Sequence, residues 1–356
     1  MSIIRKVVTE NAPYHVDQKE IVQVVRNLFG ENYKDIERLL QVFGNGQSEG
    51  RYFAAPLDWF EKERGLEEKN RLYIEEAVRM GSRAVERCLQ ETATGKDEVD
   101  AFIFVSSSGM ATPTIDARIM NNLKMPPHIK RLPIWGLGCA GGAAGLSRAH
   151  DYCKAYPDAK VLVLCLELCS LTFQRSDLSK SNLIGTSLFS DGSACALVTG
   201  ENAAGNDTGF FIHDTQSTLM ADSEDVMGWD VKDEGLHVVF SRDIPRIIES
   251  WLQPNLDQFL GKLDKRTEDI QHFIAHPGGK KVLEAYEKSL SIGTEKTENA
   301  RCVLRDFGNM SSPTVLYVLK EFMEQQPKAG EQGLLTALGP GFSSEMLWLE
   351  WTEGDK

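Results

Sequence analysis

Three widely separated residues have the types that covalent acyl transfer needs, and the first is Cys139. It follows an apolar stretch and the turn 136–138, and it precedes the small residues of GCAGGAAGL and a long helical pattern. Glycines allow a tight strand-to-helix turn, so we expect Cys139 at a helix N-terminus, where peptide dipoles favour the thiolate. The small residues after it are expected to leave open space around the sulfur. Cys139 is therefore a candidate nucleophile rather than a structural cysteine.

His276 and Asn309 are the candidate partners of this thiol. His276 ends the strand-like run HFIAH and precedes Pro277-Gly278-Gly279, a turn at which a ligand can approach. A lone histidine there is more often structural, but beside a thiol it can act as base or counter-ion. Asn309, in FGNMSSPTVL, fits either a cap of the next helix or an amide donor to a developing oxyanion.

A fourth glycine motif, Gly339-Pro340-Gly341, follows the strand-like run LTAL. It fits either a strand-to-strand turn or a cavity wall that a substrate approaches closely. The motif alone does not distinguish the two.

Helical and strand-like patterns alternate along the chain and predict an α/β protein. Helical periodicity covers residues 18–29, 33–43, 70–90, 140–156, 244–260, 280–290 and 313–325. Strand-like runs cover 101–107, 160–168, 194–199, 209–214, 272–276, 333–338 and 346–351. Runs such as VLVLCLEL lack alternation, which indicates strands buried on both faces. The polar segment 200–207 is the expected seam between an N-terminal half, 1–205, and a C-terminal half, 206–356.

Length and charge narrow the function classes. The chain has 356 residues, enough for two domains or one large duplicated domain. A net charge of −13 argues against a nucleic-acid partner. The negative net charge does not exclude a small anionic substrate, because a local basic patch could bind it. Candidate residues of such a patch are Lys280, Lys281 and Arg51. No apolar stretch approaches the ~20 residues of a membrane helix, and the N-terminus is too polar for a signal peptide, so we expect a cytoplasmic protein without membrane insertion.

The cysteine pattern argues against a zinc site or a disulfide framework. The seven cysteines form no CxxC pair, and their number is odd. We expect five of them to be small buried hydrophobic residues: Cys88, Cys153, Cys165, Cys195 and Cys302.

Five segments together resemble a known family. GCAGGAAGL, SLFSDGSACALV, IAHPGG, GNMSSPTVL and GPGFSSE follow the order and spacing of type III polyketide synthases, the chalcone synthase-like family. The resemblance extends from about residue 20 to residue 351. It implies a thiolase fold of two similar halves in five αβαβα layers, working as a homodimer. It also implies a Cys139–His276–Asn309 triad, and it gives Phe189 a part in decarboxylation.

The same resemblance implies a reaction. An acyl group passes from acyl-CoA to Cys139, whose thiolate His276 holds as an ion pair. Malonyl-CoA then loses CO₂, and His276 and Asn309 stabilise the resulting enolate. Neither a metal nor a redox cofactor is required.

Several residues differ from those of the plant enzymes of this family, and the differences bear on which acyl group, the starter, is loaded first. Val238 and Thr112 are expected where those members have a bulky phenylalanine and a bulky methionine, and the other cavity positions are small or slender. The chain is similar here to bacterial members that accept long fatty acyl starters, so we predict products of the alkylpyrone or alkylresorcinol type. Alternatively, these positions repack against other bulky side chains. The expected substrate-binding residues are Ser108, Thr112, Cys169, Thr172, Val238, Ser311, Gly339 and Gly341.

The expected CoA contacts differ from those of the plant enzymes. Arg38 is retained from a cationic set on an early helix, whereas Asp35 and Val42 stand where lysines are expected. Either Lys280 and Lys281 help to bind CoA, or an acyl carrier protein delivers the starter. Other open alternatives are a ketoacyl synthase III-like enzyme, a malonyl-primed tetrahydroxynaphthalene synthase and a non-catalytic thiolase-fold binding protein.

Overall fold

The computed structural model describes residues 1–30, 36–205 and 207–354. Asp35, and the start of the helix predicted over 33–43, lie outside this part. The strands are β1 (Ser2–Asn11), β2 (Tyr14–Asp17), β3 (Gly50–Phe53), β4 (Ala101–Val105), β5 (Lys130–Ile134), β6 (Lys160–Leu168), β7 (Asp191–Gly200), β8 (Gly209–Leu219), β9 (Met227–Lys232), β10 (Gly235–Phe240), β11 (His272–Ala275), β12 (Gln332–Gly339) and β13 (Ser343–Thr352). The helices are α1 (Gln18–Phe29), α2 (Ile36–Asn45), α3 (Leu66–Glu91), α4 (Ile115–Leu123), α5 (Gly141–Ala155), α6 (Lys180–Leu188), α7 (Glu201–Ala204), α8 (Ile244–Lys262), α9 (Lys280–Leu290), α10 (Glu298–Phe307) and α11 (Thr314–Glu324).

The main sheet repeats one arrangement twice. Within the described residues its strand order is β11-β12-β13-β8-β1-β7-β6-β4-β5. In the first half β4 and β6 run parallel, while β7 is antiparallel to β6 and β1 is antiparallel to β7. In the second half β11 and β12 run parallel, and β13 and β8 continue in antiparallel register. The domain boundary at 205/206 stays a prediction.

The first half of the sheet is buried on both faces. Along β6, Val161, Val163 and Cys165 belong to one hydrophobic core, and the alternating Leu162, Leu164 and Leu166 belong to the other. Both faces are apolar, which explains why the sequence of β6 shows no polar alternation. Its outer face packs against the long helix α3, and its inner face packs against α5.

Helix α5 also packs against β12, β13 and α11, so it lies between the two halves of the sheet. On the opposite face of the second half of the sheet, the Asn255 amide of α8 donates to Ser344 Oγ of β13 at 3.1 Å. The Tyr286 ring of α9 lies 5.6 Å from the Phe273 ring of β11. Helices and sheet therefore alternate in five layers, α3–sheet–α5/α11–sheet–α8/α9.

The start of α5 is pressed against the segment before α11. A Cβ atom built on Gly142 would lie 2.3 Å from the Ser312 carbonyl oxygen and 2.7 Å from Val315 Cγ1. A Cβ atom on Gly141 would lie 2.6 Å from Val105 Cγ1. The expectation that these glycines leave open space around the sulfur is therefore wrong. They are small because two chain segments must meet there.

Two further expectations can be compared with the described residues. All seven cysteines are free thiols, and six are buried, but Cys302 on α10 is partly exposed, so the prediction of a buried Cys302 is wrong. The described helices include none that combines the length and the apolar character needed to cross a bilayer. No group of three or more metal-ligating side chains was found among these residues.

We expect Gly142→Ala to destabilise the protein although alanine is the better helix former. The added methyl group must displace the Ser312 backbone, and overpacking of this kind costs about 1–3 kcal/mol. Gly261→Ala is the matched control, because a Cβ atom there meets nothing within 4 Å. Urea unfolding measures both variants. Equal free energies of unfolding for the two would contradict the close contact at Gly142.

Candidate active site

Cys139, His276 and Asn309 line a single cavity of about 340 Å³. They come from three distant parts of the sequence: the turn before α5, the end of β11 and the segment before α11. The volume falls within the range of small-molecule sites. Sequence reasoning brought these three residues together as candidates, and in the structure they share one cavity.

Two glycine turns hold Cys139 in place. Gly138 has a φ of +46°, and a Cβ atom there would lie 2.8 Å from the Pro340 ring. A Cβ atom on Gly339 would lie 2.6 Å from Ala140 Cβ. The turn 339–341 therefore supports the cysteine turn from behind. Among the residues around this turn, Leu338 and Phe342 are the ones that line the cavity.

The Asn309 amide is oriented by its neighbours. Its Oδ1 accepts from the Ser311 backbone N–H at 2.8 Å and lies 4.0 Å from Cys139 Sγ. Its Nδ2 makes only a long contact, 3.4 Å, with the Gly278 carbonyl oxygen. Ser311 adopts a left-handed backbone with a φ of +59°, which turns its N–H toward the amide. One amide hydrogen therefore stays available to a ligand.

The His276 ring is buried without an orienting partner. Its backbone N–H donates to the Thr336 carbonyl oxygen at 2.9 Å, which continues the β11–β12 pairing. The side chain is 1% exposed, and neither ring nitrogen has a hydrogen-bond partner among the described residues. Buried polar atoms are normally paired, so two unpaired nitrogens in a cavity wall indicate a ligand-facing ring.

The expectation of an ionised Cys139 needs correction. Burial raises the pKa of the Cys139 thiol to about 11, and the charge of Glu167 acts in the same direction. Burial also lowers the pKa of His276 to about 3. Desolvation of the sulfur thus outweighs the helix dipole on which the expectation rested. Near neutral pH each group is therefore neutral by itself, and a thiolate–imidazolium pair requires proton transfer from Cys139 to His276.

Glu167 is a buried carboxylate that sequence reasoning missed. Its Oε2 accepts from the Ser107 and Ser108 backbone N–H groups, both at 2.9 Å, and its Oε1 accepts from Ser312 Oγ at 2.9 Å. Burial raises its pKa to about 7 against the effect of these hydrogen bonds. A single acidic residue at the end of the apolar run VLVLCLEL is the sequence signal that could have found it.

Arg51 is also buried, which corrects its assignment to a surface basic patch. It is 0% exposed, and its Nη1 donates to the Thr186 and Phe189 carbonyl oxygens at 2.5 and 2.9 Å. Phe189 forms an isolated bridge with Asn309, and the Asn309 backbone N–H donates to the Leu188 carbonyl oxygen at 2.9 Å. Arg51 therefore fixes the backbone that runs beside the Asn309 amide.

The expected substrate-binding residues divide into separate groups. Cys169, Thr172 and Val238 line a second, apolar cavity together with Phe189. Ser108 instead donates its hydroxyl to Glu167 Oε2 at 2.7 Å and contributes to a different small pocket. Three others occupy other places: Thr112 is exposed, Gly339 packs on the cysteine turn, and Gly341 faces Leu219. Ser311 lies at the reacting sulfur, because its backbone N–H donates to Asn309 Oδ1 and its hydroxyl donates to the Cys139 sulfur.

The mouth of the reaction cavity is cationic. Lys280, Lys281 and Arg242 line it, and no acidic residue does so within the described part of the chain. Arg242 is an exposed residue that sequence reasoning missed. Arg38 is exposed on α2 and is absent from the lining, but Val42, one helical turn further on and on the same face, contributes to it.

The layered fold is that of a condensing enzyme with a thiolase architecture. The structure superposes on the crystal structure of 1,3,6,8-tetrahydroxynaphthalene synthase from Streptomyces coelicolor A3(2), a bacterial type III polyketide synthase, with a TM-score of 0.94. That match covers 99% of this chain and 100% of the other at 28% identity. The predicted fold class is therefore confirmed.

The chain belongs to the chalcone and stilbene synthase family. Residues 59–202 match the N-terminal domain of these synthases, and residues 211–351 match the C-terminal domain. A Bacillus subtilis (strain 168) protein that carries the provisional name chalcone synthase is 50% identical over 99% of this chain and 100% of its own length. The 1,3,6,8-tetrahydroxynaphthalene synthase of Streptomyces peucetius subsp. caesius is 32% identical over 95% of this chain and 90% of its own length. The protein is thus a type III polyketide synthase, an acyltransferase that uses CoA thioesters and needs no cofactor.

The paired ionisation of Cys139 and His276 predicts a pH dependence of thiol alkylation. In His276→Gln the thiol keeps a pKa of about 11, which burial raises against the hydrogen bonds of Ser311 and Asn309, so the iodoacetamide rate should rise about tenfold per pH unit up to that pH. In the unaltered protein, proton transfer to His276 should add thiolate near neutral pH. Peptide mass spectrometry follows Cys139, with the partly exposed Cys302 as an internal reference. If the alkylation rate of Cys139 depended on pH identically in both proteins, the charges of Cys139 and His276 would not be coupled.

Proposed function

We propose that the protein loads a long-chain fatty acyl group onto Cys139 and extends it with malonyl-CoA to alkylpyrones or alkylresorcinols. The observation that carries the proposal is the shared cavity of Cys139, His276 and Asn309. A thiol, an unpaired imidazole and an amide with a free hydrogen are the groups that acyl loading and enolate formation require.

In the loading step, His276 accepts the thiol proton while Cys139 Sγ attacks the thioester carbonyl carbon. The bond from this carbon to the CoA sulfur then breaks, and the CoA sulfur leaves with the proton from His276. Because both side chains are buried, thiolate and imidazolium form as a pair with no net charge. The site returns to neutrality when CoA departs.

In the extension step, the carboxylate of malonyl-CoA leaves as CO₂, and its electron pair becomes an enolate. The Asn309 Nδ2 hydrogen and an N–H of His276 donate to the enolate oxygen. The enolate carbon attacks the acyl carbon on Cys139, a carbon–carbon bond forms, and Sγ leaves as a thiolate. This thiolate takes up a proton from water to restore the thiol. Phe189 lines the second, apolar cavity, and its ring lies 5.7 Å from that of Phe240 in the wall of the reaction cavity. Its proposed part is to keep these surroundings apolar, which disfavours the ionised carboxylate and so favours its loss.

The fatty acyl starter is supported by the second, apolar cavity, which Phe189 lines. Cys169, Thr172 and Val238 are small or slender side chains in its wall. Burial of a hydrocarbon chain contributes about 0.8 kcal/mol per methylene, so chain length becomes a real basis for selection. The competing candidate is a malonyl-primed tetrahydroxynaphthalene synthase, which the names of two similar proteins favour.

CoA delivery is supported by the charges at the cavity mouth. Lys280 and Lys281 open α9, whose first turn holds no acidic residue. Lys280 has a long ion pair with Glu284 at 3.9 Å, but both lysines lie at the positive end of the helix dipole, and a bound phosphate compensates their charges there. Arg242 adds a third cation at the same mouth. The alternative donor is an acyl carrier protein.

A homodimer and a cytoplasmic location stay part of this proposal. Thr112 is exposed, as are two large hydrophobic side chains of nearby segments, Met110 at 36% and Trp135 at 52%. Exposed apolar side chains of this size are consistent with a covered surface in the assembly. The native mass in solution tests the dimer.

We expect Asn309→Ala to slow malonyl-CoA decarboxylation by about 10²–10³-fold in kcat, as for other oxyanion donors. Released CO₂ is measured without a starter, so that condensation does not intervene. Asn299→Ala on α10 is the control, because its amide exchanges hydrogen bonds with Gln325, away from the reaction cavity. A normal decarboxylation rate in Asn309→Ala would remove the enolate role from this residue.

The starter is tested with a series of acyl chains from butyryl to stearoyl, offered as CoA and as carrier-protein thioesters together with malonyl-CoA. We expect long-chain CoA thioesters to give pyrones or resorcinols. We also expect Cys169→Phe to shorten the accepted chain, because its ring fills the cavity wall. Product mass spectrometry reads out both. Products primed by malonyl alone would support the tetrahydroxynaphthalene reading instead.

A further inference from the structure

A cavity separate from the reaction cavity lies at the start of helix α3. It measures about 240 Å³, and Trp59, Lys69 and Gln174 are among the residues that line it. We call it the Lys69 cavity. Among the described residues, none lines both this cavity and the reaction cavity. The proposed reaction uses no group of the Lys69 cavity, so its lining needs an explanation of its own.

Lys69 places a buried ammonium group in the wall of this cavity. It is 8% exposed, and its Nζ donates to the Phe173 carbonyl oxygen at 2.9 Å and to Gln174 Oε1 at 2.7 Å. Both partners are neutral, and no ion pair of Lys69 was found among the described residues. An ammonium group has three hydrogens, so one of them stays available to a ligand. A buried charge is costly unless it is paired, so an anion in the cavity would stabilise Lys69.

The surroundings hold this ammonium group in place before any ligand binds. Gln174 is 2% exposed, and its Nε2 donates to the Leu236 carbonyl oxygen at 3.0 Å, which leaves its Oε1 to Lys69. Gly235 adjoins both side chains with a φ of +135°. A Cβ atom on Gly235 would lie 2.8 Å from Gln174 Nε2 and 3.8 Å from Lys69 Nζ. The turn between β9 and β10 therefore closes over the lysine.

The outer lining of the Lys69 cavity carries both signs of charge. Its basic and acidic side chains are exposed or half-buried, and there are three of each among the described residues: Lys62, Arg64 and Arg175, and Glu63, Asp233 and Glu234. Arg64 also pairs with Glu68. Exposed charges of mixed sign attract an ion only weakly. Recognition of an anion must therefore come from the buried Lys69.

Aromatic rings form the apolar part of the wall. Trp59 and Phe173 are half-buried, and Phe60 is buried. The Phe60 ring lies 4.9 Å from the Trp59 ring and 6.3 Å from the Phe173 ring, edge to face in both cases. Half-buried rings beside a cation favour a flat, apolar ligand that carries a negative charge. Since the volume is below that of drug-sized sites, the ligand is expected to be about as large as a single ring.

We propose that the Lys69 cavity is a second ligand site, which binds a small organic anion: one flat ring that carries a carboxylate or an ionised enol. The anionic oxygen accepts from the free Lys69 hydrogen, and the ring lies against Trp59 and Phe173. Two sources share this chemistry, the hydroxypyrone ring of the enzyme's own product and an unrelated aromatic carboxylic acid. The site rests on the geometry of the cavity, and only the first source rests on the proposed function.

The test measures binding of two anions to the full chain by isothermal titration calorimetry: triacetic acid lactone, which is a hydroxypyrone, and benzoate. Lys69→Met should weaken both affinities at least tenfold, because a hydrogen bond between two charged groups is lost. Lys19→Met is the control, since Lys19 is an exposed lysine of α1 outside this cavity, and it should match the unaltered protein. The O-methyl ether of the lactone has no ionisable enol and should bind at least tenfold more weakly than the lactone.

The pH dependence distinguishes this site from a lysine on the surface. Burial lowers the pKa of Lys69 to about 8, against the charges of Glu234 and Glu63. Both anions stay ionised above neutral pH, whereas Lys69 loses its charge as the pH rises through about 8. The affinity should therefore fall by up to tenfold per pH unit above that pH. A surface lysine, with a pKa of about 10.4, would keep its charge and the affinity over this range.

Trp59→Leu removes the aromatic wall, should also weaken both anions, and carries the test if Lys69→Met does not fold. Binding of neither anion to the unaltered protein at millimolar concentration, or equal binding by Lys69→Met, would overturn the second site. Equal affinity for the lactone and its ether would overturn it too, because the charge would not be recognised. Binding of benzoate without the lactone would keep the site and exclude the product as its ligand, while the proposed reaction would stand.

Discussion

The contact between the start of α5 and the segment before α11 is the constraint on which the active site depends. Gly142 lies against the Ser312 carbonyl, and the buried Glu167 accepts from Ser312 Oγ and from the 107–108 backbone. The first element carries Cys139 and the second carries Asn309. A buried carboxylate is costly unless its hydrogen bonds are satisfied, so this network has one well-defined arrangement. This network therefore sets the distance between the Cys139 sulfur and the Asn309 amide.

Burial then decides how the site ionises. The helix dipole stabilises the thiolate of a surface cysteine at a helix N-terminus. Cys139, however, is only 7% exposed, and His276 is 1% exposed. In such surroundings a lone charge is expensive, whereas a transferred proton creates two opposite charges at once. The same exclusion of water strengthens each hydrogen bond to an enolate oxygen. A site that is neutral at rest is thus consistent with strong stabilisation of charge during the reaction.

Elements with strong patterns could be predicted from the sequence, because apolar periodicity reports burial directly. The bounds of α1, α9 and β6 agree with the prediction residue by residue. The short helix α6, with its weak apolar face, was missed, as was β1, whose pairing with the distant β7 leaves no local signal. The triad was accessible because glycine turns mark it. Glu167 and Arg242 could not be predicted in this way, because their roles depend on neighbours that only the fold brings near.

The second, apolar cavity, which helix α1 borders, shows where sequence patterns are ambiguous in principle. An apolar face at helical spacing means that water is excluded, but it does not say whether protein or a ligand excludes it. Ile21 and Val25 meet both descriptions, since they are buried and also border the cavity. The half-buried Val24 and Leu28 separate the two readings, because a helix packed on a continuous core would cover them.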